Sequence, residues 1–225
     1  MIIINLWEQY SYDPFRAILL IVGVLLGILM AIAVHEYAHA WEANRLGDDT
    51  AKRLGRLTIN PLAHIDPTGL FLFILAGFGY SKPVPFNPNV LKSDKDEIKI
   101  AIAGPISNII LALILALPYR ISLIIGLNVS QSLILTFLDT MVYMNLVLAI
   151  FNFIPIPPLD GSRVLNYFLA ADARESWERI GPLVLAALIF ASIFFGSSGF
   201  DPIGTIMTPL LNIASFIVRG APILF

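Results

Sequence analysis

Residues 35–39 read His-Glu-Tyr-Ala-His. Side chains four apart on a helix share a face, with Cβ atoms about 5–6 Å apart, so the imidazoles of His35 and His39 can hold one zinc ion. Glu36, one step round, can reach a water beside that ion and act as general base. The plainer alternative is the polar end of a membrane helix whose imidazoles only form hydrogen bonds, but ionisable residues inside a span point by default to function. A catalytic zinc takes three protein ligands and leaves one position open, so a third ligand must come from elsewhere. Glu42 lies a single turn beyond His39 and is poorly placed to complete a tetrahedron. His64 and Asp66 belong to the loop Asn60-Pro61-Leu62-Ala63-His64-Ile65-Asp66-Pro67, and Asp139 lies toward the far end of its own apolar run. The best candidate is Asp160, which follows Pro155, Pro157 and Pro158 and precedes Gly161. That punctuation stops a helix and delivers a carboxylate at its end.

The elements that position these residues must be membrane helices. Of 225 residues, 57% are hydrophobic and 13% charged, against about 45–50% and about 25% in soluble domains. Mean hydropathy is +0.81. A soluble globule with so little polar surface could not cover its core, so the lipid bilayer is an expected partner. A net charge of −2 argues against a nucleic-acid partner. With no cysteine and three histidines, thiolate ligands and disulfides are excluded. A helix crossing the hydrocarbon needs roughly 20 largely apolar residues, and candidate spans run about 17–45, 98–118, 132–155, 180–196 and 203–218. The Gly-rich run 69–80 is too short to cross and reads, with the prolines after it to about residue 90, as a re-entrant segment. The fold class is therefore an all-α polytopic membrane protein of about five to six transmembrane helices plus this segment, for which a β-hairpin is one option. No signal peptide or linker is evident, and residues 1–225 read as one membrane domain with no room for an appended soluble module.

Cytoplasmic loops carry excess Lys and Arg. If 69–80 does not cross and the N-terminus lies outside, the inner side holds twelve basic residues. These are Arg45, Lys52, Arg53, Arg56, Lys82, Lys92, Lys95, Lys99, Arg163, Arg174, Arg179 and Arg219. The outer side holds Arg16 and Arg120. A crossing at 69–80 would give a poorer nine-to-five split. The better partition predicts a multi-pass cell-membrane protein with its site toward the cytoplasm, and it puts the ends of 17–45 and 132–155 on one side, where His35, His39 and Asp160 can meet.

Three segments now carry a specific resemblance. His35-Glu36-Tyr37-Ala38-His39, Ala103-Gly104-Pro105-Ile106-Ser107-Asn108 and Asn152-Phe153-Ile154-Pro155-Ile156-Pro157-Pro158-Leu159-Asp160-Gly161 resemble the site-2 protease family of intramembrane zinc metalloproteases. The matching stretch runs from about Ala33 to Arg163, and Gly55–Gly69 and Lys82–Pro88 are similar to short prokaryotic members without accessory domains. The resemblance implies one zinc ion per chain on His35, His39 and Asp160, with Glu36 as general base. It places Asn152 near the scissile carbonyl or the developing oxyanion. It also offers Asn108 as a substrate contact, with close helix packing around Gly104 as the alternative. The substrate class is a transmembrane protein, cut in or near its span. A peptide bond in a lipid-embedded helix hides its carbonyl, so the substrate must be held extended. Pro83, Pro85 and Pro88 forbid a helix, and an extended edge at Val84 and Phe86 could pair with it; an ordinary loop is the alternative.

Rival readings are weaker. Gly196-Ser197-Ser198-Gly199 resembles a rhomboid serine-protease motif, but no histidine follows residue 64. Presenilin-like proteolysis lacks its second aspartate motif. A prenyl-protein-protease type of zinc enzyme would draw its third ligand from Glu97, Glu175 or Glu178. A non-catalytic metal-binding transporter would show an internal repeat, and none is visible. His64 reads more readily as a loop histidine packing near the site than as a catalytic group.

Overall fold

The computed structural model describes residue 7 and residues 11–76, 79–126 and 132–220. Helix α1 runs Pro14–Arg45, α2 Thr50–Arg53 and α3 Pro67–Ala76. They are followed by α4 Asp94–Leu115, α5 Leu117–Ile124 and α6 Leu133–Phe153. The chain ends with α7 Asp160–Asn166, α8 Ala171–Phe195 and α9 Pro202–Arg219. Five helical stretches are long and apolar enough to cross a membrane: α1, α4 continued by α5, α6, α8 continued by a short turn, and α9. The chain is an all-α multi-pass membrane protein.

Local chemistry sets the helix ends. Asp13 accepts from the Arg16 N–H at 3.1 Å, with Pro14 at the first helical position. Asp201 does the same for Gly204 at 2.8 Å ahead of Pro202, and such caps satisfy donors that have no partner inside the helix. Helices α1, α4 and α6 form the centre. Small residues let them approach: a Cβ on Gly27 would stand 3.1 Å from the Met141 backbone and 3.2 Å from the Met144 side chain. In lipid, close van der Waals contact across small residues is a principal source of helix association. The contacts give α1 and α6 the same direction, since Gly23 meets Phe137 and Gly27 meets Met144, and α4 the opposite one, since Ile100 meets His39 and Asn108 meets Ala31.

The re-entrant expectation takes a specific form. Helix α3 has ten residues, about 15 Å at 1.5 Å each, half the hydrocarbon thickness. Among the described residues there is no strand, and the hairpin option is not realised; pairing is limited to one isolated bridge between Ile65 and Ser81. Extension of that pairing is stopped by Pro83 and Pro85, which have no N–H to donate. The returning chain crosses the first turn of α3 at Gly69, where any Cβ would strike the Tyr80 carbonyl.

Helix α9 corrects one assignment. Arg219 Nε meets Asp139 Oδ1 at 2.7 Å, and Arg120 donates to the Ile217 carbonyl at 2.6 Å. Ile203 and Met207 share a core cluster with Ile150 and Ile154. Helix α9 therefore runs opposite to α6, and Arg219 lies at the same end as Arg120. The basic partition becomes eleven to three. Gly181 of α8 packs on Pro157, and Ser192 accepts from the Ile203 N–H at 3.0 Å, so the apolar half of α8 links the 155–157 turn to the start of α9. The ends of α1 and α6 that carry the histidines and Asp160 are unaffected.

Arg219 and Asp139 are 1% and 4% exposed, so Arg219→Met strands a buried carboxylate. Removing one partner of a buried pair costs about 3–5 kcal/mol, whereas replacing both with apolar groups costs far less. Thermal unfolding in detergent is expected to show a large loss for Arg219→Met and recovery of most of it when Asp139→Leu is added.

Candidate metal centre

Helix α1 turns His35, Glu36 and His39 into the bundle, where they are 5%, 5% and 8% exposed. The imidazoles need a neighbour with no side chain. Gly104 of α4 provides it, because a Cβ there would overlap His39 Nε2 and stand 2.7 Å from His35 Nε2. After α6 ends, the turn at 154–159 returns the chain so that Asp160 opens α7. Its Oδ2 lies 3.1 Å from His35 Nε2 and 3.2 Å from His39 Nε2.

The outer nitrogens settle what faces the centre. His39 Nδ1 donates to the Ile100 carbonyl at 2.7 Å. His35 Nδ1 is 2.7 Å from Asn108 Oδ1, while the Asn108 amide nitrogen donates to the Ala31 carbonyl at 2.9 Å and to Asn145 Oδ1 at 3.0 Å. Asn108 Oδ1 is thus an acceptor and His35 Nδ1 the donor. With both rings neutral, each Nε2 then presents a lone pair toward a buried oxygen of Asp160. A single proton would serve one of these contacts; a divalent cation serves all three atoms. Zinc bonds of about 2.0–2.1 Å in a tetrahedral site separate ligand atoms by about 3.3–3.4 Å, close to the spacing present. His35, His39 and Asp160 form a group that could hold a metal ion.

Glu36 lines the same cavity without joining that triad. Ser81 Oγ–H donates to its Oε1, and the Val84 N–H donates to its Oε2 at 3.2 Å. The cavity, about 410 Å³, is walled by Ile28, Ile32, Phe73, Leu148 and Phe151 as well as by the polar groups.

Comparison with known proteins accords with this arrangement. The sequence pattern of "Peptidase family M50" matches residues 118–196. A Bacillus subtilis (strain 168) protein named "Putative zinc metalloprotease YwhC" is 32% identical over 213 residues, covering 91% of this chain and 91% of its own length. The chain belongs to peptidase family M50. Two mycobacterial proteins named "Putative zinc metalloprotease Rip2" are also similar. The Mycolicibacterium smegmatis protein is 26% identical across 68% of this chain and 60% of its own length. The Mycobacterium tuberculosis (strain ATCC 25618 / H37Rv) protein is 27% identical across 77% and 66%. No solved structure matches the chain. As an M50 protein it is a membrane zinc metalloprotease, and its donor set suits that metal.

Within this M50 protein the residues singled out from sequence fall into two groups. Val84, Phe86 and Asn152 line the cavity with Glu36 and Asp160. Asn152 gives one N–H back to the Leu148 carbonyl at 3.0 Å and keeps a second. Asn108 lies apart from them: it is fully buried behind His35, with both amide N–H groups and one lone pair of its Oδ1 already engaged. Asn145 completes that support and was not singled out from sequence, although a lone amide in an apolar helix is itself a signal. Glu42 is held by Arg45, and Asp66 accepts from the Thr68 and Gly69 N–H groups, so neither competes as a ligand.

His64, also fully buried, holds a strap in place. Its Nε2 donates to the Thr58 carbonyl at 2.7 Å, and its carbonyl accepts from the Lys82 N–H at 2.8 Å. Arg56 bonds the Lys82 carbonyl and lies 3.4 Å from His64 Nδ1. At the far end of the strap, Asp48 accepts from the Asn87 N–H at 2.6 Å and from Thr50. Burial pushes the Asp48 carboxyl up, but the bonds from Thr50 and Asn87 outweigh it and hold it below the ordinary carboxylate range.

Two outcomes are expected. Asn108→Leu removes the acceptor that orients His35, and loss of such support typically lowers metal affinity about 10–100-fold; zinc competition against a chelator measures it. Because the folded Asp48 carboxyl titrates below its unfolded value of about 3.9, its contribution to stability is present above that value and is lost as pH falls through the folded one. The melting-temperature advantage of wild type over Asp48→Asn is therefore expected at pH 7 and shrinks below about pH 4.

Proposed function

We propose that this chain is an intramembrane endopeptidase that hydrolyses a peptide bond in or near a transmembrane segment of a membrane-protein substrate, close to the cytoplasmic face. In this reading 1–225 is one protease domain, His35, His39 and Asp160 hold the zinc, and Glu36 is the general base. Val84, Phe86 and Asn152 contact substrate. The observation that carries it is the convergence of two imidazole lone pairs and a buried carboxylate oxygen beside Glu36, in a largely apolar cavity of a membrane bundle. The eleven-to-three basic partition supports the cytoplasmic side.

A zinc ion held by His35, His39 and Asp160 would polarise the scissile carbonyl and acidify the attacking water. Glu36 would accept the proton of that water and pass it to the leaving nitrogen. The second amide N–H of Asn152 is available to the oxygen on which charge develops. The strap at 82–87 binds substrate in extended form: the Val84 N–H is committed to Glu36, so the backbone of Phe86 supplies the donor toward substrate, while Pro83 and Pro85 have no N–H to give. The apolar wall from Ile28 to Phe151 accommodates side chains drawn from an unwound span.

The prenyl-protein-protease type of site is not supported. Glu97 and Glu178 both pair with Arg174, and the group closing on the two histidines is Asp160. Glu36→Gln tests proteolysis against metal binding or transport. The variant is expected to hold about one zinc per chain and to lose at least about 10³-fold in turnover, consistent with removal of a general base. Retained turnover of a membrane-protein substrate in Glu36→Gln would exclude the assigned mechanism.

A further inference from the structure

We infer that Ser81 is a positioning residue for catalysis, the side chain that sets the orientation of the Glu36 carboxylate; the inference rests on the reading of Glu36 as general base. Helix α1 fixes only the backbone and Cβ of Glu36, and its remaining torsions must be set by other groups. Among the described residues two donors reach the carboxylate: Ser81 Oγ–H on Oε1 and the Val84 N–H on Oε2. A carboxylate offers about four lone-pair sites. One donor on each oxygen fixes the plane of the group and leaves a lone pair on each for a water proton.

Ser81 is suited to this because its backbone is braced. The bridge to Ile65, the Lys82 N–H bond to His64 and the Arg56 bond to Lys82 hold the strap immediately around it. Asp48 holds the far end through Asn87. Gly69 gives the chain room to pass. The buried Arg56–His64 pair thus acts on catalysis at one remove, by fixing the residue that aims the base. The Val84 contact comes from the backbone and survives side-chain replacement; the Ser81 contact is the one that substitution removes.

The experiment uses the full zinc-loaded chain in detergent micelles, with a fluorogenic synthetic peptide carrying apolar residues on both sides of the scissile bond. Ser81→Ala is expected to lower kcat about tenfold, the loss of one hydrogen bond to a charged group, with KM and zinc content unchanged. Ser81→Thr, which keeps the hydroxyl, restores most of the rate. Ser81→Cys, of similar volume but a weaker donor, falls between them and keeps the test open if the alanine variant fails to fold. A readout apart from turnover is calorimetric binding of a peptide hydroxamate, whose hydroxyl proton needs an aimed carboxylate; Ser81→Ala weakens it about tenfold. Wild-type or raised kcat in Ser81→Ala, or a loss that Ser81→Thr does not restore, overturns the inference. If wild type itself shows no turnover that depends on Glu36, the protease reading fails; if such turnover is present and indifferent to Ser81, only the role of Ser81 fails.

Discussion

Three lone pairs directed at one another in a buried site repel unless a proton or a metal ion lies between them, and only a metal ion meets all three at once. That constraint governs the centre of this protein. His35 and His39 each commit Nδ1 to an acceptor behind the ring, leaving each Nε2 facing Oδ2 of Asp160. Breaking any of the outer bonds would free a ring to turn away and relieve the repulsion. The packing denies that escape: Gly104 lies directly against the rings, and Asn108 is anchored by two other helices. The affinity for a divalent cation is thus stored in the helix packing itself.

Much of the remaining architecture follows from keeping those groups together in lipid. Helices α1 and α6 must end on the same side, since one brings the histidines and the other leads to Asp160. Helix α4 must run between them in the opposite sense, because Gly104 and Asn108 have to meet His35 and Ala31. The strap has the complementary task of bringing hydrogen-bond donors to Glu36. It does so from outside the long helices, on an extended segment braced by Asp48, Arg56 and His64, three residues outside the His35–His39–Asp160 group.

The sequence made the metal pair legible because a helix converts a spacing of four into adjacency. Asp160 was legible because the prolines before it end a helix at a predictable membrane level. The hydropathy pattern carried the apolar spans for the same reason, since lipid requires a minimum length. Other features depended on tertiary contacts that no periodicity records. Asn108 carries the same motif whether it faces substrate or the back of His35. Ser81 is an ordinary serine until the strap lays it against Glu36, and the end at which Arg219 lies is visible only in its contact with Asp139 and in the Arg120 bond to Ile217. The hairpin option failed through residues already visible, as Pro83 and Pro85 deny the pairing that a hairpin requires.

Asp160 is the group that would close the metal site, and metal analysis of purified protein tests that most directly. Wild type is expected to carry about one zinc per chain, and Asp160→Ala, left with two imidazoles where a catalytic zinc takes three protein ligands, is expected to lose most of it on dialysis against a weak chelator. Equal zinc content in the two proteins would contradict the ligand assignment and the structural account built on it.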